Sequence, residues 1–167
     1  MLGPEKELLN NLKEVTEIYS EILGMEEKKQ RTILERNGKQ LENLSLLQDN
    51  HLIELNILEG KREAALKLFC EKHSIDYDPS YTLKELLQNV NTYDVTTILE
   101  HGESLKTLLL NLKKIREIND TLLEDNMQYF NDMLDELKYS SSTHIGYGSN
   151  GKENSNFNAP LFLNQTT

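Results

Sequence analysis

The sequence predicts an all-α protein: an elongated antiparallel helical bundle or coiled coil of three long helices and one short helix, followed by a flexible C-terminal tail. Three observations lead there. The 167 residues include 30 Leu and 10 Ile against 3 Val and no Trp, a bias toward helix formers over the β-branched and aromatic residues that sheets favour. Pro4, Pro79 and Pro160 are the only prolines, and the stretches of 74 and 80 residues between them are longer than a sheet protein leaves without turns. Within those stretches apolar residues recur at helical spacing. The length suits one ordinary domain.

Taken in order, Leu8, Leu12, Val15, Tyr19 and Ile22 fall at spacings of 4, 3, 4 and 3, a narrow stripe on one face of a first helix over roughly residues 5–36. Asn37-Gly38 offers left-handed residues to close it. Leu41, Leu44, Leu55, Leu58, Ala65 and Phe69 carry a second stripe to about residue 73, interrupted by Gln48, His51 and Arg62. Residues 74–81 are turn-rich, and Thr82-Leu83-Lys84-Glu85 is a capping box that starts a short helix to about residue 90. After a break at Asn91-Thr92-Tyr93, a seam through Ile98, Leu105, Leu108, Leu112, Ile115, Leu122, Tyr129, Met133 and Leu137 predicts one helix from about 94 to 137, with Gly102 as its weak point. Such a helix is roughly 65 Å long, and helices of that length belong to coiled coils or extended bundles.

The formal charge is −10 and the pI is near 4.9. That sign disfavours nucleic acid and anionic membranes, and no apolar run reaches the roughly 20 residues that span a bilayer. The N-terminal residues carry acid and no apolar core of a signal peptide, so a cytoplasmic location is expected. Residues 139–167 contain only Lys152 and Glu153 as charged groups and are rich in Ser, Asn and Gly. The chain therefore divides into a helical domain, 1–138, and a polar tail, 139–167, too poor in apolar residues to offset the cost of ordering.

Catalytic signatures are missing. No Gly-rich loop of the phosphate-binding kind precedes a helix, and no Glu stands three residues before a His, the spacing a di-metal bundle requires: those positions hold Gln48, Cys70, Ile98 and Ser141. Cys70 and His73 lie one turn apart but lack a second Cys, and read as a small buried thiol and a solvated imidazole. His51 lies mid-helix without the Lys and Gly that follow the phosphorylated His of phosphotransfer bundles. Neither a metal nor a cofactor is expected. Asn119 and Asn126 share one heptad position within an apolar seam, either as register residues or as partner contacts. Leu122, Leu123, Met127, Phe130, Met133, Leu134 and Leu137 wrap more of that helix than one seam needs, as either an enclosed core helix or one with a second partner. On the residues alone, a coiled-coil adaptor or scaffold and a phosphotransfer bundle at His51 stay open.

The segment Asn119-Asp120-Thr121-Leu122-Leu123-Glu124-Asp125-Asn126-Met127-Gln128-Tyr129, then Leu137, then Gly146-Tyr147-Gly148-Ser149-Asn150-Gly151, resembles the C-terminal signature of the FlgN family of flagellar export chaperones. That signature runs N-x-x-N-x-x-L-L, a polar and an apolar residue, a helix end and a Y-G-x-x-G tail. Lys61-Arg62 with Leu66, and the Thr-Leu-x-x-Leu start at Thr82, resemble the family as well, so the likeness covers about the whole chain. Arg116 stands where the family often has its first Asn, and the linker from helix to tail is slightly longer. The resemblance implies a non-enzymatic chaperone for the hook–filament junction proteins FlgK and FlgL, delivering them to the export-gate protein FlhA. It implies a cargo-binding stretch of Asn119, Leu122, Leu123, Asn126, Met127, Phe130, Met133, Leu134 and Leu137, and gate docking by Tyr147. Long apolar helices without a partner also pair with themselves, so a homodimer and a state with the tail folded over the groove both stay open for the free chain.

Overall fold

In the computed structural model, which describes residues 3–141, Pro4 opens helix α1 (Pro4–Leu34). Its missing N–H falls where helices have no acceptor to offer, and Glu5 and Glu7 complement the positive end of the helix dipole. Leu8, Leu12, Val15, Tyr19 and Ile22 are all buried, as their spacing predicts. The closure of α1 differs from expectation. Arg36, not Asn37 or Gly38, takes the left-handed conformation with φ 54°. The Arg36 N–H donates to Ile33 O and the Asn37 N–H to Thr32 O, both at 3.0 Å, so the last turn is closed in Schellman fashion.

Asn37 instead caps α2 (Gly38–Lys72), its side chain accepting the Gln40 N–H at 3.1 Å. Gly38 is required for space rather than for φ: a Cβ there collides with Met133 Sδ. Ser74, at φ 54°, ends α2 as Arg36 ends α1, with the Ile75 N–H donating to Cys70 O at 2.8 Å. The capping box at Thr82 is formed in both directions and starts α3 (Leu83–Leu87). Thr92 caps α4 (Tyr93–Asp125), which runs through Gly102 without a break; a Cβ at 102 would come within 3.0 Å of Leu83, so the glycine lets α3 lie close to α4.

The expected single helix over 94–137 is two helices. Asn126 donates from Nδ2 to Leu122 O at 2.8 Å and from its backbone N–H to Leu123 O at 3.1 Å, which tightens the last turn of α4. Its own carbonyl then accepts from Phe130 N–H to begin α5 (Met127–Ser141), three residues past the boundary at 138.

Contacts fix the topology. Glu5 meets Lys72, Glu21 meets His51 and Lys29 meets Gln48, an order that makes α2 antiparallel to α1. Asn119 meets Glu26 and Tyr129 meets Arg36, so α4 and α5 run up beside α1 again. Helix α1 lies in the middle, packed along both α2 and α4, whose backbones stay farther from each other. Tyr19, Phe69, Leu8, Leu12, Leu55, Leu87, Ile98 and Leu112 form the centre of the core. Each such apolar side chain contributes about 1.5–3 kcal/mol on burial. At the foot, Glu5 accepts from Lys72 Nζ at 2.7 and 2.9 Å and lies 2.9 Å from His73 Nε2. These partners hold the Glu5 carboxyl down at a pKa of about 2, the Lys72 hydrogen bond being the largest cause.

Candidate functional site

Continuing the 4, 3, 4, 3 spacing of α1 beyond Ile22 lands on Glu26, Lys29 and Ile33. Ile33 is core, but Glu26 and Lys29 are also buried, at 3% and 7% exposure. Charges inside a bundle are stable only when paired. Gln48 of α2 donates to Glu26 Oε1 at 2.9 Å and accepts from Lys29 Nζ at 3.0 Å. From α4, Asn119 Nδ2 donates to Glu26 Oε2 at 2.7 Å and to Glu26 O at 2.9 Å, and Arg116 Nε stands 4.0 Å from Oε1. All three long helices meet in this one polar layer. The interruption at Gln48 and the departure at Arg116 belong to it. Glu26 and Lys29 were the residues a reading of apolar stripes passes over, although their place in the stripe was the signal that could have found them.

Above the layer, the end of α4 and the start of α5 form an elbow over the α1–α2 turn. Tyr129 donates its hydroxyl to Arg36 O at 3.0 Å, and the Arg36 guanidinium lies 5.2 Å from the centre of the Tyr129 ring. Phe130 is buried, edge-on to Tyr129, and Met133 fills the space above Gly38.

Of the nine stretch residues singled out in the sequence, Asn119 and Phe130 are therefore enclosed within the chain. Asn126 is half-buried and shapes the elbow. Leu122, Leu123, Met133, Leu134 and Leu137 are half-buried, and Met127 is 55% exposed. The two asparagines of the shared heptad position thus do different work: Asn119 ties α4 to α1, while Asn126 ends α4. Tyr147 lies outside the described residues, as does nearly all of the polar tail.

The remaining candidates gather no chemistry. His51 is half-buried, with Nδ1 3.4 Å from Glu21 Oε2. Cys70 is buried, which pushes its thiol up in pKa. His73 is not solvated as the sequence suggested: its ring packs on Phe69 at 4.4 Å and its Nε2 meets Glu5. A cleft of about 180 Å³ at the foot has Arg62, Lys84 and Lys106 on its wall beside Glu63, Asp78 and Glu103, so no one sign of charge converges there. Among the described residues no three His, Cys, Asp or Glu side chains are placed to hold a metal ion, and no helix is long and apolar enough to cross a membrane.

The family model described as FlgN protein matches residues 1–155. The chain belongs to the FlgN family. No curated protein and no solved structure matches it. As a FlgN protein it has the role of a flagellar export chaperone, in a family of chaperones rather than enzymes that binds flagellar proteins. The match spans the polar layer, the elbow and the segment holding Tyr147.

Proposed function

We propose that this FlgN protein acts in the cytoplasm, holds the C-terminal segments of the hook–filament junction proteins FlgK and FlgL on its α4–α5 elbow, and delivers them to FlhA through Tyr147. The observation that carries the reading is the elbow itself. In a chain of this family, Met127 stands exposed between half-buried Leu123 and Leu134, on a helix whose inner face is already occupied by Phe130 and Met133. Asn119 and Phe130 serve inside the chain, so the proposed contact set contracts to Leu122, Leu123, Met127, Leu134 and Leu137, with Asn126 and Met133 at its edge.

An assembly-prone amphipathic helix laid on this surface has its apolar face covered, which removes the aggregation hazard. Thioether and leucine side chains adapt to more than one guest, as two cargoes require. A total interface of roughly 1,200–2,000 Å² gives specific binding that still permits release.

Calorimetry of the full chain with FlgK and FlgL C-terminal peptides tests this. Leu123→Asp and Met127→Asp are each expected to weaken binding about tenfold or more, since each places a charge in an apolar contact. Unchanged affinity in both removes the elbow as the cargo site. Tyr147→Ala is expected to keep cargo affinity and lose FlhA; equal loss of both assigns the tail to the cargo site.

A further inference from the structure

Helix α2 carries two apolar faces, and the chain covers only one. The inner face holds Leu44, Leu55, Leu58 and Phe69. On the other side Leu47, Ile53, Ile57 and Leu68 are 51%, 62%, 59% and 47% exposed. Ile53, Ile57, Gly60 and Ala64 follow one another at steps of 4, 3 and 4, the spacing of a coiled-coil seam. Gly60 has no role in the packing described above: a Cβ there meets nothing within 4 Å, although glycine weakens a helix interior relative to alanine. The seam begins at Leu47, nine residues along α2 from Gly38, where Met133 of the elbow packs.

We propose that a second copy of this chain covers the seam, with the two α2 helices antiparallel about a two-fold axis near residue 58. Self-complementarity decides the occupant. In that register Leu47 faces the partner's Leu68, Ile53 the partner's Ala64, and Ile57 the partner's Gly60, so the middle of the seam sets large side chains against small ones, while its ends carry Asn50 against the partner's Lys67 and Leu46 against the partner's Glu71. Glu54 faces the partner's Lys61, and symmetry makes the pair twice. A parallel arrangement instead sets Asp49 against the partner's Glu54 twice, like charge against like. The seam from Leu47 to Leu68 is about 32 Å long, and a helix pair of that length buries on the order of 1,000 Å² in total, at the low end for specific association. The dimer is accordingly reversible and concentration-dependent, and it leaves the elbow free for cargo.

Sedimentation velocity on the full chain, from low micromolar to several hundred micromolar, is the test. The expected result is a monomer–dimer equilibrium abolished by Ile57→Asp, whose exposed position leaves monomer unfolding unchanged. Glu54→Lys and Lys61→Glu are each expected to weaken the dimer about tenfold, and together to restore it. A wild-type chain that stays monomeric throughout, or a dimer indifferent to Ile57→Asp, overturns the proposal. A double charge swap no better than the single changes overturns the antiparallel register. A monomeric chain whose affinity for a FlgK peptide falls with Ile57→Asp gives the seam to cargo and overturns it as well.

Discussion

Replacing Asn119 by Ala removes the side chain through which α4 reaches α1 in the polar layer. Its Nδ2 makes two hydrogen bonds, one to a carboxylate oxygen at 2.7 Å and one to a backbone carbonyl at 2.9 Å. Loss of the first costs about 1.5–3 kcal/mol and of the second about 0.5–1.5 kcal/mol, because Glu26 is left without its closest donor in a site only 3% exposed. Against this, Asn119 Oδ1 is buried with no hydrogen-bond partner, and deleting it recovers about 1–2 kcal/mol. The donor loss wins because a buried carboxylate is harder to leave unsatisfied than an amide oxygen. The net expectation is about 1–3 kcal/mol of destabilisation, or a fall in Tm of roughly 3–9 °C for a chain of this size. Urea unfolding followed by circular dichroism at neutral pH measures it. Asn119→Asp sharpens the test, since it keeps the shape but sets a second carboxylate against Glu26; it should be worse than Ala near neutrality and recover as the medium is acidified. Wild-type stability in the Ala variant, or an Asp variant no worse than Ala, would refute the role given to the layer.

Three further expectations concern stability. The Tyr19 hydroxyl is buried without a partner and its ionisation is pushed up by that burial, so Tyr19→Phe should be neutral or stabilising by about 1 kcal/mol in urea; a clear loss would mean that the hydroxyl is bonded. Glu5 titrates at about 2 when folded against an ordinary value of 4.5, so its contribution is fully present above about pH 5 and is lost as the pH falls toward 2. Because Lys72 is half-exposed, Glu5→Gln should cost only about 1 kcal/mol at pH 7, and urea midpoints of variant and wild type should converge near pH 2. Thr82→Ala breaks the capping box and should cost about 1 kcal/mol, with amide exchange quickening first across Leu83–Leu87.

Much of the fold was legible because it rests on local rules. The stripe from Leu8 to Ile22 and the box at Thr82 each depend on residues within one or two turns. What was not legible depends on residues far apart in the chain. Gln48 reads only as a flaw in a stripe until Glu26 and Asn119 stand beside it, and nothing near Gln48 announces residues 22 and 71 positions away. Asn126 shares a heptad position with Asn119, and periodicity cannot tell an amide that reaches a neighbouring helix from one that turns back on its own carbonyl four residues earlier. For the candidate site, apolar excess near residues 122–137 marked the stretch that the structure builds into the α4–α5 elbow. Which of those side chains the protein keeps for itself was settled by the α1–α2 turn, through Arg36 and Gly38. On α2 the seam through Ile53 and Ile57 was hidden because it runs beside Leu55 and Leu58, and two interleaved faces blur each other's period.

Hydrogen–deuterium exchange of the full chain with and without the FlgK C-terminal segment reads out where cargo sits. With cargo on the elbow, exchange slows across residues 119–141 and is unchanged along the outer face of α2. Protection confined to α2, or none along α4 and α5, would contradict that site.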